Sequence, residues 1–253
     1  MPKISTRHLT ELPDIGTLQG LCKSLATLDA VLCSDWEYRY YSYNKAWDKD
    51  KQEAYFQMRN GSGDEFQILF SPHGAIINGL AHESEMSQWV EKEIPPVTFK
   101  EKLSSLFGQK KTVTEQQIWE GVVETVPAQF REFIFGEPIK SKGTTFCIWR
   151  KTDDASWHIG NIKFPKDKYG DGSAELLYIL DNHPATYKKW ATEYYEEQFD
   201  GFKLKLDLVK HIYDAKPLTK DMVRELNPSL DDFESLKADL DEIGYPYEGL
   251  NAT

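Results

Sequence analysis

Residues 52–86 read QEAYFQMRNGSGDEFQILFSPHGAIINGLAHESEM, and they carry the clearest secondary-structure pattern of the chain. Apolar and polar residues alternate on both sides of two turn signals, NGSGD at residues 60–64 and SPHG at residues 71–74. Alternation with a period of two predicts β-strands, and short turn-rich breaks between such runs predict antiparallel hairpins. The stretch therefore predicts three consecutive antiparallel strands over residues 53–59, 65–70 and 75–80.

The residues before this stretch supply a helix and one more strand. In residues 15–32 apolar side chains recur at steps of three and four, which predicts an amphipathic helix. In residues 36–43 aromatic and charged residues alternate, which predicts a first strand. The economical arrangement is a four-stranded antiparallel meander, with the helix covering the apolar face that carries Phe66, Ile68 and Phe70.

The residues after the meander carry weaker patterns. We predict helices over residues 83–94, 99–106, 115–123 and 127–135, and a short strand pair over residues 146–149 and 157–164. From residue 172 onward the apolar spacing is helical, and Ser229 is a candidate cap for the last helix. The predicted fold class is α+β, a meander sheet packed against helices, then the strand pair and a mostly helical C-terminal region. The two regions, 1–108 and 109–253, form either separate domains or one continuous domain.

The composition indicates a globular protein of the cytoplasm. The chain has 253 residues, of which 40% are hydrophobic and 13% aromatic, enough for a sizeable core. No window approaches the roughly 18 uninterrupted apolar residues of a membrane helix, and the N-terminal residues lack the apolar segment of a signal peptide. The chain has three cysteines, Cys22, Cys33 and Cys147. An odd number without CxxC spacing argues against a disulfide framework or structural zinc.

Negative charge is concentrated in the C-terminal quarter. The net charge is −11, and residues 191–253 hold 15 acidic and 7 basic residues. Without clustered Lys and Arg we expect no binding to nucleic acid. An acidic surface attracts a basic protein partner, and the candidate contacts are Asp231, Asp232 and Glu234 at the start of the last predicted helix. The alternative is that acidic helices only keep the protein in solution.

One polar cluster is a candidate ligand site. His82, Glu83 and Glu85 follow one another closely, and His73 stands in the preceding turn. Imidazole and carboxylate groups bind metals or exchange protons, but the spacing lacks the second histidine of HExxH. The two glutamates equally suit the first turn of a helix, where negative charge meets the helix dipole. We therefore predict no metal here and keep the cluster as an alternative ligand-binding site.

No other motif assigns a cofactor or a catalytic residue. Residues 167–175, DKYGDGSAE, place oxygen-bearing residues and a glycine as an EF-hand loop does, but Tyr169 and Tyr178 replace two ligands. We therefore expect no bound calcium. The chain also lacks G-x-S-x-G, a P-loop and GxGxxG, the usual marks of serine hydrolases and nucleotide-binding proteins.

Three segments resemble parts of an uncharacterised group of bacterial proteins. They are MRNGSGDEFQILF at residues 58–70, HESEMS at residues 82–87 and DLDEIGYP at residues 239–246. The resemblance spans much of the chain and implies a bacterial cytosolic origin. The group has no assigned activity, so the resemblance transfers no functional residue.

Two functional hypotheses follow from the sequence. The first is a non-enzymatic protein-binding module, immunity-like or inhibitor-like, that uses its acidic surface to hold a basic partner. The alternative is an enzyme or small-ligand-binding protein with a pocket near His73, His82 and Glu83.

Overall fold

The computed structural model describes residues 4–93, 112–166, 170–196 and 203–250, together with residues 95 and 98. The strands in these residues are β1 (Tyr41–Asp48), β2 (Glu53–Arg59), β3 (Glu65–Ser71), β4 (Gly74–Leu80), β5 (Gln88–Glu93), β6 (Thr112–Gln117), β7 (Phe146–Lys151), β8 (His158–Ile159), β9 (Leu218–Thr219) and β10 (Tyr247–Glu248). The α-helices are α1 (Ile15–Leu32), α2 (Arg131–Phe135), α3 (Ile139–Lys142), α4 (Ser173–Leu176), α5 (Pro184–Glu196), α6 (Leu206–Tyr213), α7 (Lys220–Leu226) and α8 (Phe233–Ile243). Short 3-10 helices cover Trp36–Tyr38, Ala128–Phe130 and Leu177–Leu180.

The main sheet has six strands in the order β1-β2-β3-β4-β7-β8, and every neighbouring pair is antiparallel. The first four strands form the predicted meander, so the α+β fold class is confirmed. In the register of β2 and β3, Phe56 faces Ile68 and Met58 faces Phe66. These apolar pairs fix the register, because a shift by one residue would turn every one of them to the opposite face of the sheet.

The first face of the sheet carries the larger core. Phe66, Ile68 and Phe70 of β3 are buried there together with the apolar stripe of α1, as predicted. Buried side chains of α5, α6, α7 and α8 belong to the same cluster, so the C-terminal helices complete this layer. Among the helices that the structure describes, none combines the length and apolar character that crossing a membrane requires.

The second face combines a smaller apolar cluster with a polar network. Residues 118–135 cover β3, β4 and β7 there, and Phe130 and Ile134 are buried in this apolar contact. Beside this cluster, the buried amide of Asn78 donates to Gln67 Oε1 at 3.1 Å and accepts from Thr144 Oγ1 at 2.7 Å. Gln67 in turn donates to Glu65, which pairs with Lys142. The network satisfies polar groups that the sheet would otherwise bury unpaired.

The predicted first strand begins five residues too early. Trp36–Tyr38 form a 3-10 helix instead, and β1 starts at Tyr41. Asp35 accepts a hydrogen bond from the backbone of Glu37 at 3.0 Å, which caps the 3-10 helix. The local cap therefore outweighs the alternation of aromatic and charged residues in this segment.

Two predicted helices are wrong where the structure describes them. Turns occupy residues 82–86, after which β5 replaces the helix predicted over residues 83–94. β6 and a following turn replace the helix predicted over residues 115–123. β5 and β6 pair with each other in a separate two-stranded sheet. The paired residues range from Gln88 with Gln117 to Glu93 with Thr112, so each strand finds its partner far away in the chain. Cross-strand pairing thus overrides the local helical preference.

The remaining sequence predictions are confirmed in part. The predicted strand pair corresponds to β7 and β8, but both strands extend the main sheet because β7 pairs with β4. The helix predicted over residues 127–135 is a 3-10 turn followed by α2. The C-terminal region is mostly helical, with the short parallel pair β9 and β10 added. The helix predicted over residues 99–106 lies outside the described residues.

Candidate functional site

The structure separates the histidines of the predicted ligand site. His73 stands in the turn between β3 and β4, where its carbonyl accepts from the backbone of Thr152 at 3.1 Å. His82 follows the opposite end of β4. β4 has seven residues, so it keeps the two side chains roughly 20 Å apart. His73 therefore belongs to a different end of the sheet.

His82 and Glu83 do lie together, beside an aspartate that the sequence analysis did not select. Nδ1 of His82 is 2.8 Å from Asp64 Oδ1, and Nε2 is 3.0 Å from Glu83 Oε1. The hydrogen bond to Asp64 is the main cause that raises the pKa of His82. The Glu83 side chain is 88% exposed, and Glu85 is exposed without pairing with the imidazole. This arrangement fastens the loop after β4 to the β2–β3 hairpin.

The calcium-like loop falls partly outside the described residues, which begin again at Gly170. In the described part, Asp171 is buried and accepts from Thr6 Oγ1 at 2.5 Å and from Ser173 Oγ at 2.7 Å. Its carboxylate therefore holds the N-terminal segment against α4. In the described part of the chain, no group of three or more His, Cys, Asp or Glu residues has the arrangement of a metal site.

Two of the three predicted partner contacts line a pocket. This acidic cleft, of about 320 Å³, lies between the residues before the Trp36–Tyr38 turn and the start of α8. Its acidic residues are Asp35, Asp231, Asp232 and Asp239. Glu234 is not among the lining residues, and it pairs with Lys237 at 2.6 Å. The structure thus brings Asp231 and Asp232 together with two aspartates from other parts of the chain.

A buried arginine supports the wall of the acidic cleft. Arg39 donates to Cys33 O at 2.8 Å and to Ser34 O at 3.1 Å, which fixes the loop before the 3-10 turn. Its guanidinium also binds Asp239 Oδ2 at 2.6 Å. Arg39 is therefore paired with Asp239, and the described residues form no ion pair with the other three aspartates of the cleft.

The Trp36–Tyr38 turn, which we call the aromatic turn, places two large rings in solvent. Trp36 is 56% exposed and Tyr38 is 69% exposed. The Arg59 guanidinium lies 4.3 Å from the centre of the Trp36 ring and donates to its backbone carbonyl at 2.5 Å. The turn is therefore held by hydrogen bonds while its aromatic surface remains uncovered, an arrangement typical of an interaction surface.

Neither the aromatic turn nor the carboxylate behind it was predicted from the sequence. The signal for the turn was Ser34-Asp35 directly before Trp36, because Asp is a preferred cap. Asp29 was the second missed residue: it lies four positions after Leu25, on the buried stripe of α1. Asp29 is fully buried and accepts from the backbone of Tyr40 at 2.6 Å and of Tyr41 at 3.0 Å. It therefore anchors the chain where the aromatic turn joins β1.

Comparison with known proteins assigns no role to these residues. No family model, no curated protein and no solved structure matches the chain.

Proposed function

We propose that this chain is a non-enzymatic protein-binding module that holds a basic segment of a partner protein against the aromatic turn and the acidic cleft. The observation that carries the proposal is the pair of exposed rings, Trp36 and Tyr38, directly beside a cleft with four aspartates. The module is of the kind that occupies or neutralises its partner, as immunity proteins and inhibitors do.

The aromatic turn supplies the apolar part of the proposed contact. Trp and Tyr are the residues that most often dominate binding energy at protein interfaces. They offer a large contact area with few rotatable bonds, so little conformational entropy is lost on binding. Arg59 orients the Trp36 ring before any partner arrives, and such preorganisation reduces the entropic cost further.

The acidic cleft supplies the electrostatic part. The hydrogen bond from the backbone of Ser235 lowers the pKa of Asp232, so this carboxylate is ionised at neutral pH. Asp231 is exposed at the same rim. A Lys or Arg side chain of the partner entering the cleft meets charges of opposite sign, which favours docking and speeds encounter.

The alternative function has less support from the geometry. An enzyme or ligand pocket built from His73, His82 and Glu83 requires side chains that converge, and β4 keeps His73 roughly 20 Å from the other two. His82 is paired with Asp64 and Glu83 at the surface. Protein binding therefore ranks first.

A binding experiment tests the proposal. Wild-type protein captures partners from a lysate of the source organism, and each recovered protein is then purified and titrated against wild type and variants. We expect Trp36→Ala with Tyr38→Ala to weaken binding at least about tenfold, because both rings are hot-spot residues. The matched control is Trp47→Ala, since Trp47 is 48% exposed on β1, away from the turn.

Two results contradict the proposal. The first is a purified partner that binds the double variant as tightly as it binds wild type. The second is that no purified candidate binds wild type saturably. Circular dichroism and thermal unfolding confirm that each variant is folded, which the exposure of all three side chains leads us to expect.

A further inference from the structure

A second pocket of about 320 Å³ shares Arg39 with the acidic cleft. We call it the tyrosine pocket, because Tyr38, Tyr40 and Tyr194 line it. The aromatic turn, the β2–β3 hairpin and α5 each contribute to its walls. Its volume is at the lower end of the range for small-molecule sites, so it suits a single ring or a short side chain.

The aromatic walls are fixed in place. The rings of Tyr40 and Tyr194 meet edge to face with centres 5.0 Å apart, and Trp190 stacks on Tyr194 at 5.3 Å. The backbone of Tyr40 is held by Asp29 Oδ2 at 2.6 Å. Rigid aromatic rings favour a flat or alkyl group packed against them through dispersion and apolar contact.

Arg59 gives the tyrosine pocket a cation. Its Nε donates to Arg39 O at 3.3 Å and one terminal nitrogen donates to Trp36 O, so hydrogen-bond donors remain on the guanidinium. Within the described part of the chain, no carboxylate forms an ion pair with Arg59. A guanidinium in this state binds a carboxylate with two parallel hydrogen bonds.

The surroundings favour an anion with one charge. Glu37 lines the pocket. Burial and neighbouring phenols raise the pKa of Tyr40 to about 12, and the charge of Asp64 contributes to the shift. Burial is the largest cause of this shift, and it keeps the phenol neutral at neutral pH. Arg39 also lines the pocket, but its guanidinium is already paired with Asp239 at 2.6 Å. A phosphate dianion would therefore bring a second charge that has no partner there, whereas a carboxylate matches the one guanidinium of Arg59.

We propose that the tyrosine pocket binds a carboxylate carried on an aromatic or alkyl group, with Arg59 as its ion-pair partner. The carboxylate comes either from a free small molecule or from an acidic side chain or chain terminus of the partner protein. The site does not depend on the acidic cleft, so the proposed function can fail while this site stands.

The probe is N-acetyl-L-phenylalanine, titrated at millimolar concentration into the isolated protein and followed by two-dimensional NMR. N-acetyl-L-phenylalaninamide is the matched neutral probe. We expect the acid to shift amide signals of residues around Arg59 and to bind about tenfold more tightly than the amide, since hydrogen bonds to charged groups are the stronger ones. Arg59→Gln removes this preference. Arg131→Gln keeps it, because Arg131 covers Phe135 on a different surface.

Three results overturn the inference: equal binding of acid and amide, no saturable binding of the acid, or an unchanged preference in Arg59→Gln. If Arg59→Gln does not fold, Tyr38→Ala replaces it, because this wall residue is 69% exposed and its loss should weaken both probes. If the site is confirmed, competition between the probe and the partner protein shows which of the two sources supplies the carboxylate. A probe that displaces the bound partner shows that the partner supplies the carboxylate, and a probe that leaves it in place shows a separate small ligand.

Discussion

The hydroxyl of Tyr195 donates to Oδ1 of Asp29 at 2.9 Å, and this hydrogen bond joins α5 to α1 inside the core. Both residues are buried. The other oxygen of Asp29 holds the backbone of Tyr40 and Tyr41. One carboxylate therefore connects three parts of the fold: the long N-terminal helix, the aromatic helix α5 and the start of β1. The tyrosine pocket and the aromatic turn both rest on this connection.

Removing the Tyr195 hydroxyl should destabilise the protein. Tyr195→Phe leaves an oxygen of Asp29 without its donor, and we expect a loss of about 1–2 kcal/mol in the free energy of unfolding. Tyr187→Phe is the matched control on the same helix, because the buried Tyr187 hydroxyl has no hydrogen-bond partner in the described residues. Its removal should be neutral or slightly stabilising. Urea unfolding measures both values, and an equal loss in the two variants contradicts the assigned role.

Asp29 should make stability depend on pH. Burial raises the pKa of this carboxyl from 3.8 to about 6, although its hydrogen bonds oppose the shift. The folded state then binds the proton more tightly than the unfolded state does. The stability that Asp29 contributes is therefore largest at low pH, and it is lost as the pH rises through 6.

The variant Asp29→Asn removes this dependence. From about pH 5 to 7.5, we expect the free energy of unfolding of wild type to fall by about 1.5 kcal/mol relative to the variant. The pKa of His82 is also raised, chiefly by its hydrogen bond to Asp64, but His82 is present in both proteins and its effect cancels in the difference. Parallel pH profiles for the two proteins would falsify the assignment.

The sequence predicted the sheet because its strands are neighbours in the chain. The turn residues that connect β2, β3 and β4 are adjacent in sequence to the strands that they join. The alternation of apolar residues fixes which side chains face the core. β5 and β6 lack this local information. Most of their side chains are exposed and polar, and the two strands pair across a long interval of sequence, so their pattern resembled solvated helices.

The candidate site was less predictable than the fold. The acidic cleft unites Asp35 with Asp239, two hundred residues apart, and only tertiary packing brings them together. Asp231 and Asp232 could be selected from the sequence as candidate partner contacts, because the density of acidic residues is a local property of the sequence. The aromatic turn was not predicted, because its alternation of aromatic and charged residues is the same pattern that indicates a strand.

Substitution by alanine should change the stability of the protein in opposite directions at two glycines. Gly79 in β4 lies against Phe146, and a Cβ placed on it would be 1.9 Å from the ring. We expect Gly79→Ala to cost at least about 2 kcal/mol through overpacking. Gly20 is an exposed residue of α1 with open space around the corresponding position. Gly20→Ala should stabilise by about 0.5–1 kcal/mol, because alanine favours a helix interior. Thermal unfolding of both variants checks the signs.

The cap of α8 should distinguish two neighbouring aspartates. Asp232 accepts from the backbone of Ser235 at 2.9 Å and is the N-cap, so the sequence-based prediction of Ser229 as the cap is wrong. The side chain of Ser229 instead donates to Asn227 at 2.7 Å. We expect Asp232→Ala to lower Tm and Asp231→Ala to leave it nearly unchanged. Equal Tm values for the two variants contradict the cap assignment.

The final prediction concerns charge and the rate of partner association. Asp231→Lys reverses a charge that lines the acidic cleft, and Glu234→Lys reverses one in the first turn of α8, outside the cleft. We expect Asp231→Lys to slow association roughly threefold more than Glu234→Lys does, with a smaller effect on dissociation, because rim charges steer encounter. Raising the salt concentration should reduce the difference, since exposed charges are screened over about 10 Å at 0.1 M ionic strength. Stopped-flow or surface plasmon resonance kinetics with the purified partner provide the measurement. Equal association rates for the two variants would mean that the acidic cleft does not face the partner, and that its charge serves only to keep the protein in solution.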